Sequence, residues 1–158
     1  MQPSIHEHAA HVAVVPAMSH GLVAGTILMT LDGEIPVEHL TPGDRIITRD
    51  AGMARLVRIS FKRVSLNTVR IARGCLGNNR PDRDMYVSAN TPIHVRDWRA
   101  ESMFGTPTAT VSAIQLTDGE FVTDEGLHEV AMFELEFDAP HILYADGVEV
   151  RSEPLAAA

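Results

Sequence analysis

From residue 27 onward the chain alternates apolar and polar residues in short runs, and turn-forming residues separate the runs. In VRISFKRV, Val57, Ile59 and Phe61 alternate with Arg58, Ser60 and Lys62. In EVAMFELEF, Phe133, Leu135 and Phe137 alternate with Glu134 and Glu136. A period of two is the mark of a strand with one buried face. The pattern predicts strands over 27–30, 45–50, 54–64, 68–73, 85–89, 92–97, 129–137 and 141–150. Ile46, Ile59, Phe61, Val69, Ile71, Phe133, Leu135, Ile142 and Tyr144 are expected to supply most of the core, with Met85, Met103 and Met132 as filler.

Turn chemistry separates these runs. Asp32-Gly33 offers the positive φ of a tight turn after ILMT. Pro36 opens a brief helical turn, PVEHL, and Thr41-Pro42-Gly43-Asp44 stops it and launches RIITRD. The single helical candidate is DWRAESMF, residues 97–104, with Trp98 as the expected anchor and Gly105 as its stop. Many short strands and almost no helix predict an all-β fold, either a barrel-like sandwich or a twisted disc of curved hairpins.

Composition narrows the function classes. At 158 residues with 45% hydrophobic content, the chain can bury one core without metal or disulfide staples. Thirteen Lys plus Arg against twenty-one Asp plus Glu give a formal charge of −8, with the basic residues scattered. This argues against a nucleic-acid surface, which needs concentrated cationic charge. One cysteine, Cys75, cannot form an internal disulfide, and it reads as a small buried hydrophobe. No apolar run approaches the roughly 20 residues that span a bilayer. The N-terminus lacks the features of a Sec signal, so the expectation is a soluble, cytoplasmic protein with no membrane partner. His6, His8 and His11 do not share one face of a helix or strand, so residues 1–20 read as a polar arm rather than a metal site. No metal or other cofactor is expected.

Three blocks carry a family resemblance. GLVAGTILMTLDGEIPVEHLTPGDRIITRD resembles the opening block of the Hint (Hedgehog/intein) domain in its bacterial branch. In that block a Cys or Ser is followed by x-x-x-Gly-Thr, a strand, an Asp-Gly turn, Pro-Val-Glu-x-Leu and Pro-Gly-Asp. LGNNRPDRDMYVSANTPIHVRDWRAESMFG resembles the middle block and FELEFDAPHILYADGVEV the closing strand pair. The resemblance covers about residues 21–152, leaving an arm at 1–20 and a tail at 153–158. It implies a Hint-type horseshoe or disc of curved antiparallel hairpins with one short helix, bringing both ends of the domain to one cleft.

The resemblance also implies self-cleavage chemistry, and the residues that would carry it are altered. A first-residue thiol or hydroxyl attacks the preceding carbonyl in an N–S or N–O acyl shift; here that position is Gly21, which has no side chain. A middle-block histidine protonates the leaving nitrogen. Its place is Thr91 in a gap-free alignment, or His94 if Thr91-Pro92-Ile93-His94 is read as Thr-x-x-His. Splicing members close on His-Asn, where this chain has Val150-Arg151-Ser152. His141 is expected to line the cleft.

Two readings follow. The first is a Hint-fold domain without autoprocessing that serves as a structural or interaction module, with binding of an extended peptide or a protein partner by strand addition as its residual use. The alternative is an autoproteolytic domain with a relocated nucleophile, Ser19, Thr26 or Thr91. A shared fold does not carry an activity without its site.

Overall fold

The computed structural model describes residues 21–153. The expectations for the histidine-bearing arm, for Ser19 and for nearly all of the tail lie outside the described residues.

Among the described residues twelve strands make two antiparallel sheets. β1 (Leu22–Val23), β10 (Val122–Glu136), β6 (Arg58–Ile71) and β7 (Met85–Ser88) form a four-stranded sheet in the order β1-β10-β6-β7. The eight-stranded sheet runs β3 (Gly33–Pro36), β2 (Ile27–Thr30), β4 (Arg45–Thr48), β11 (Ile142–Ala145), β12 (Val148–Arg151), β8 (Pro92–Val95) and β9 (Ala109–Ser112), and β5 (Gly52–Arg55) pairs with β4. The all-β expectation is met, and α1 (Trp98–Phe104) is the single α-helix among the described residues. No helix among them is long and apolar enough to cross a membrane.

The turns form where their residues allow. β2 and β3 pair through Thr30↔Gly33, with Gly33 at φ 107°, and β11 and β12 meet at Asp146 and Gly147, at φ 48° and 83°. Consecutive positive φ values match the right-handed twist of paired strands, which is why Asp-Gly serves there. The α1 ends also follow local chemistry: the Asp97 carboxylate accepts from the Arg99 N–H at 3.0 Å, and Gly105 at φ 71° donates its N–H to the Glu101 carbonyl.

Two long strands replace several of the expected short ones. The runs read as 54–64 and 68–73 divide instead into β5 and the 14-residue β6, and 129–137 is the second half of the 15-residue β10. β6 and β10 pair from Arg58↔Glu136 to Ile71↔Val122, with a bulge between Asp124 and Gly126. Along β6 the buried side changes: Val64, Leu66 and Thr68 face inward, then Val69 and Ile71. The ribbon therefore serves two cores. The main one includes Leu28, Ile46, Ile71, Leu143 and Val150, and a smaller one holds Val64, Leu66 and Met132.

This change of side corrects part of the expected core. Ile46, Val69, Ile71 and Leu135 are buried, as are Met85 and Met132. Ile59, Phe133, Ile142 and Tyr144 are half-buried. Phe61 is 56% exposed, and its ring meets that of Phe133 with centroids 5.2 Å apart. Met103 is exposed as well. Trp98 is 66% exposed and does not anchor the helix; the Arg99 guanidinium lies over its ring at 4.7 Å, while the small Ala100 is the residue α1 buries.

Candidate functional site

The two ends of the described domain meet. Gly21 enters β1, which pairs with β10 through Leu22↔Phe133, and Arg151 and Ser152 leave β12. Gly21, Leu22, Leu135, Leu143, Val150, Arg151 and Ser152 line one narrow crevice. Gly21 is buried, and a Cβ built on it would lie 2.5 Å from the Phe133 carbonyl oxygen and 2.9 Å from its carbonyl carbon. Real Cβ atoms do not approach backbone that closely. The position has no space for a side chain unless β1 or β10 moves.

His141 begins the closing strand pair and is tied down on every side. Its ring Nδ1 lies 3.0 Å from Asp50 Oδ2, and the neighbouring Ile142 N–H donates to Asp50 Oδ1 at 2.9 Å. Its backbone N–H donates to Ser152 Oγ, and its carbonyl accepts from the Ser152 N–H. Phe137 meets the ring edge-on at 5.8 Å. Burial pushes the Asp50 carboxyl up, but the Ile142 N–H and the His141 ring outweigh it, and Asp50 sits below its ordinary range. The pair is therefore a carboxylate orienting an imidazole.

His94 lies on β8, its Nδ1 3.2 Å from Thr110 Oγ1 across the β8–β9 pair. Partial burial lowers its pKa, Glu149 opposes this, and Arg96, Arg49 and Arg151 push it down further. Glu149 is gripped by Arg96 through two hydrogen bonds, at 3.1 and 2.7 Å, with Arg49 at 3.5 Å. His94 and His141 line one open cavity of about 290 Å³ together with Asp50, Thr110, Pro140, Ile142 and Arg151. Arg151 lines both this cavity and the Gly21 crevice.

Thr91 lines neither opening. It is fully buried, and its hydroxyl has no hydrogen-bond partner among the described residues, although its backbone is paired with Ser88 and Ala113. Thr91→Val is therefore expected to be neutral or stabilising by about 1 kcal/mol, since an unsatisfied buried hydroxyl carries a desolvation cost. A urea midpoint that falls clearly below wild type would show that the hydroxyl has a partner after all.

The structure thus brings Gly21, His94 and His141 to two openings joined at Arg151 and leaves Thr91 apart from both. Asp50 is the site residue that sequence reasoning missed, because its partner lies 91 positions away. Thr26, a relocated-nucleophile candidate, is buried at the start of β2. Cys75 is half-buried beside the main core, its thiol pushed up by burial. Among the described residues no group of three His, Cys, Asp or Glu side chains could hold a metal ion.

Antiparallel sheets that bring both ends of the described domain into one crevice define an intein-like class. A family model of the Hint domain matches residues 20–155, and the chain belongs to that family. Solved structures agree on the fold. A DnaB intein from Synechocystis sp. PCC 6803 is 14% identical, with a TM-score of 0.56 over 84% of this chain and 97% of that one. A bacterial intein-like domain from Clostridium thermocellum is 14% identical, with a TM-score of 0.55 over 84% and 97%. The gp41-1 intein is 13% identical, with a TM-score of 0.52 over 82% and 96%. Among curated proteins none matches the chain.

Proposed function

We propose that this chain is a Hint-fold domain that does not cleave itself at His20–Gly21, and that it works as a module binding an extended peptide or protein partner. One observation carries the reading. At Gly21, the position that the resemblance matches to the family's nucleophile, the backbone carbonyl oxygen of Phe133 lies 2.5 Å from where a Cβ would stand. Without a thiol or hydroxyl there, an acyl shift at that bond has no attacking atom. Val150-Arg151-Ser152 at the other end of the crevice lacks an asparagine that could cyclise. His141, fixed by Asp50, and His94, held by Thr110, are then groups that line a cleft rather than acids in a cleavage.

The alternative with a relocated nucleophile has less support. Thr91 is sealed from the cavity and Thr26 is buried in the start of β2. Among the described residues no imidazole is hydrogen-bonded to either hydroxyl.

The test is the integrity of the purified chain. Intact-mass measurement over days at neutral pH, with and without added thiol or hydroxylamine, should show a single species, because uncatalysed amide hydrolysis is far slower than any enzymatic step. A fragment ending at Met18 or His20 would overturn this reading and favour the relocated nucleophile.

A further inference from the structure

Resting on the peptide-binding reading, we infer that the cavity between His94 and His141 is a carboxylate-binding subsite, with Arg151 as its anchor. The chain carries a net charge of −8, yet this face of the eight-stranded sheet brings three arginines together. Strand register explains how. Val150 stands opposite Ile93 and Ile142 opposite Arg151, so β12 and β8 present Glu149 and Arg151 on the same face as His94 and Arg96. Arg49, at the end of β4, reaches the same group.

Three guanidiniums, those of Arg49, Arg96 and Arg151, thus stand near the Glu149 and Asp50 carboxylates, both committed, while a third carboxylate, that of the exposed Asp138, lies 3.7 Å from His141 Nε2. Glu149 is held by Arg96 and Arg49. Asp50 gives one oxygen to the Ile142 N–H and the other to the His141 ring. Arg151 is the remaining cation, half-buried; its guanidinium makes no hydrogen bond or ion pair to any described residue, and it lines the cavity. A guanidinium is always charged and presents a planar fork that fits a carboxylate bidentately. Beside it stand the Thr110 hydroxyl and the two imidazoles, further polar groups able to meet a ligand.

The set suits a monoanion with two oxygens. A phosphate dianion would bring a second charge to a cavity with one unpaired guanidinium and the Asp50 carboxylate on its wall. The carboxylate of a peptide partner, at its C-terminus or on an acidic side chain, fits both the charge and the 290 Å³ volume.

The experiment titrates the full chain by NMR, following the His94 and His141 imidazole signals. The probes are acetyl-trialanine with a free C-terminal carboxylate, the same peptide as its C-terminal amide, acetyl-Ala-Asp-Ala-amide and inorganic phosphate. A saturable shift with the free acid or the Asp peptide is expected, identifying the source of the carboxylate, with binding by the neutral amide and by phosphate at least 10-fold weaker. Arg151→Gln should weaken the carboxylate probe about 10-fold or more. Arg151→Lys, which keeps the charge and loses the fork, should fall between. Arg58→Gln, on the exposed β6 ribbon, should leave binding unchanged. Equal binding of acid and amide peptides would overturn the subsite while leaving the peptide reading standing. Phosphate bound more tightly than either carboxylate probe, or a carboxylate probe unaffected in both Arg151 variants, would also overturn it. If no probe binds at all, the subsite and the peptide reading fall together.

Discussion

Asp146→Ala is expected to destabilise the domain by about 2–4 kcal/mol, whereas Asp146→Asn should cost no more than about 1. Asp146 is 5% exposed and sits at φ 48° in the β11–β12 turn, where Asp and Asn are tolerated and Ala is strained. Its carboxylate accepts from the Ile27 N–H and from Arg83 Nε, both at 3.2 Å, and its backbone bonds to Ile27 and Asp82. Arg83 in turn reaches the Gly25 carbonyl. One side chain thus ties β2, the loop before β7 and the closing hairpin together. Alanine leaves the Ile27 N–H unpaired and adds the backbone penalty; asparagine keeps an acceptor and the left-handed tolerance.

The charge itself adds little at neutral pH. Burial raises the Asp146 carboxyl above its ordinary value of 3.8, while the Ile27 N–H and Arg83 pull it down without prevailing. A carboxyl with a raised native pKa binds its proton more tightly when folded. Its contribution is therefore full below the ordinary value and is lost as pH rises through the native one. Urea midpoints at pH 7 should rank wild type and Asn together and Ala well below. Equal losses for Ala and Asn would mean that the ion pair with Arg83, rather than the turn and the Ile27 bond, holds this junction.

What the sequence discloses and what it hides follow from the range of the physics involved. Turns and helix stops are local, so Asp32-Gly33, Thr41-Pro42-Gly43-Asp44 and Gly105 are legible directly and all form. Alternation identifies a strand but not which side of it meets a core. Val57, Ile59 and Phe61 alternate as cleanly as any run in the chain, yet Val57 and Phe61 are exposed, because the β6–β10 ribbon changes its buried side further along. Trp98 misleads for the same reason: a large apolar residue at a helix start packs only if something covers it. The site shows a like division. His94 and His141 are visible as polar residues in family blocks, and the structure sets them in one cavity. Asp50 and the free guanidinium of Arg151 emerge only when strands distant in sequence are laid side by side.

Gly21→Cys is expected to lower stability by about 1–3 kcal/mol and to yield no thiol-dependent cleavage after His20. The penalty is steric, a clash of the new Cβ with backbone. The new Cβ collides with the Phe133 carbonyl, which belongs to a backbone held by β6 on one side and β1 on the other. A rotamer change cannot relieve a clash at Cβ, since only the backbone sets that atom's place. Gly21→Ala carries the same Cβ and should therefore lose nearly as much as Gly21→Cys. Adding Thr91→His in search of a proton donor should lower stability further, because Thr91 is fully buried and lines neither of the two openings. Thermal melts of the three variants, with intact mass after incubation with dithiothreitol, decide the matter. An alanine variant as stable as wild type, together with a cysteine variant that cleaves at His20–Gly21, would mean that β1 shifts readily to admit a nucleophile and that the lost side chain alone keeps the domain silent.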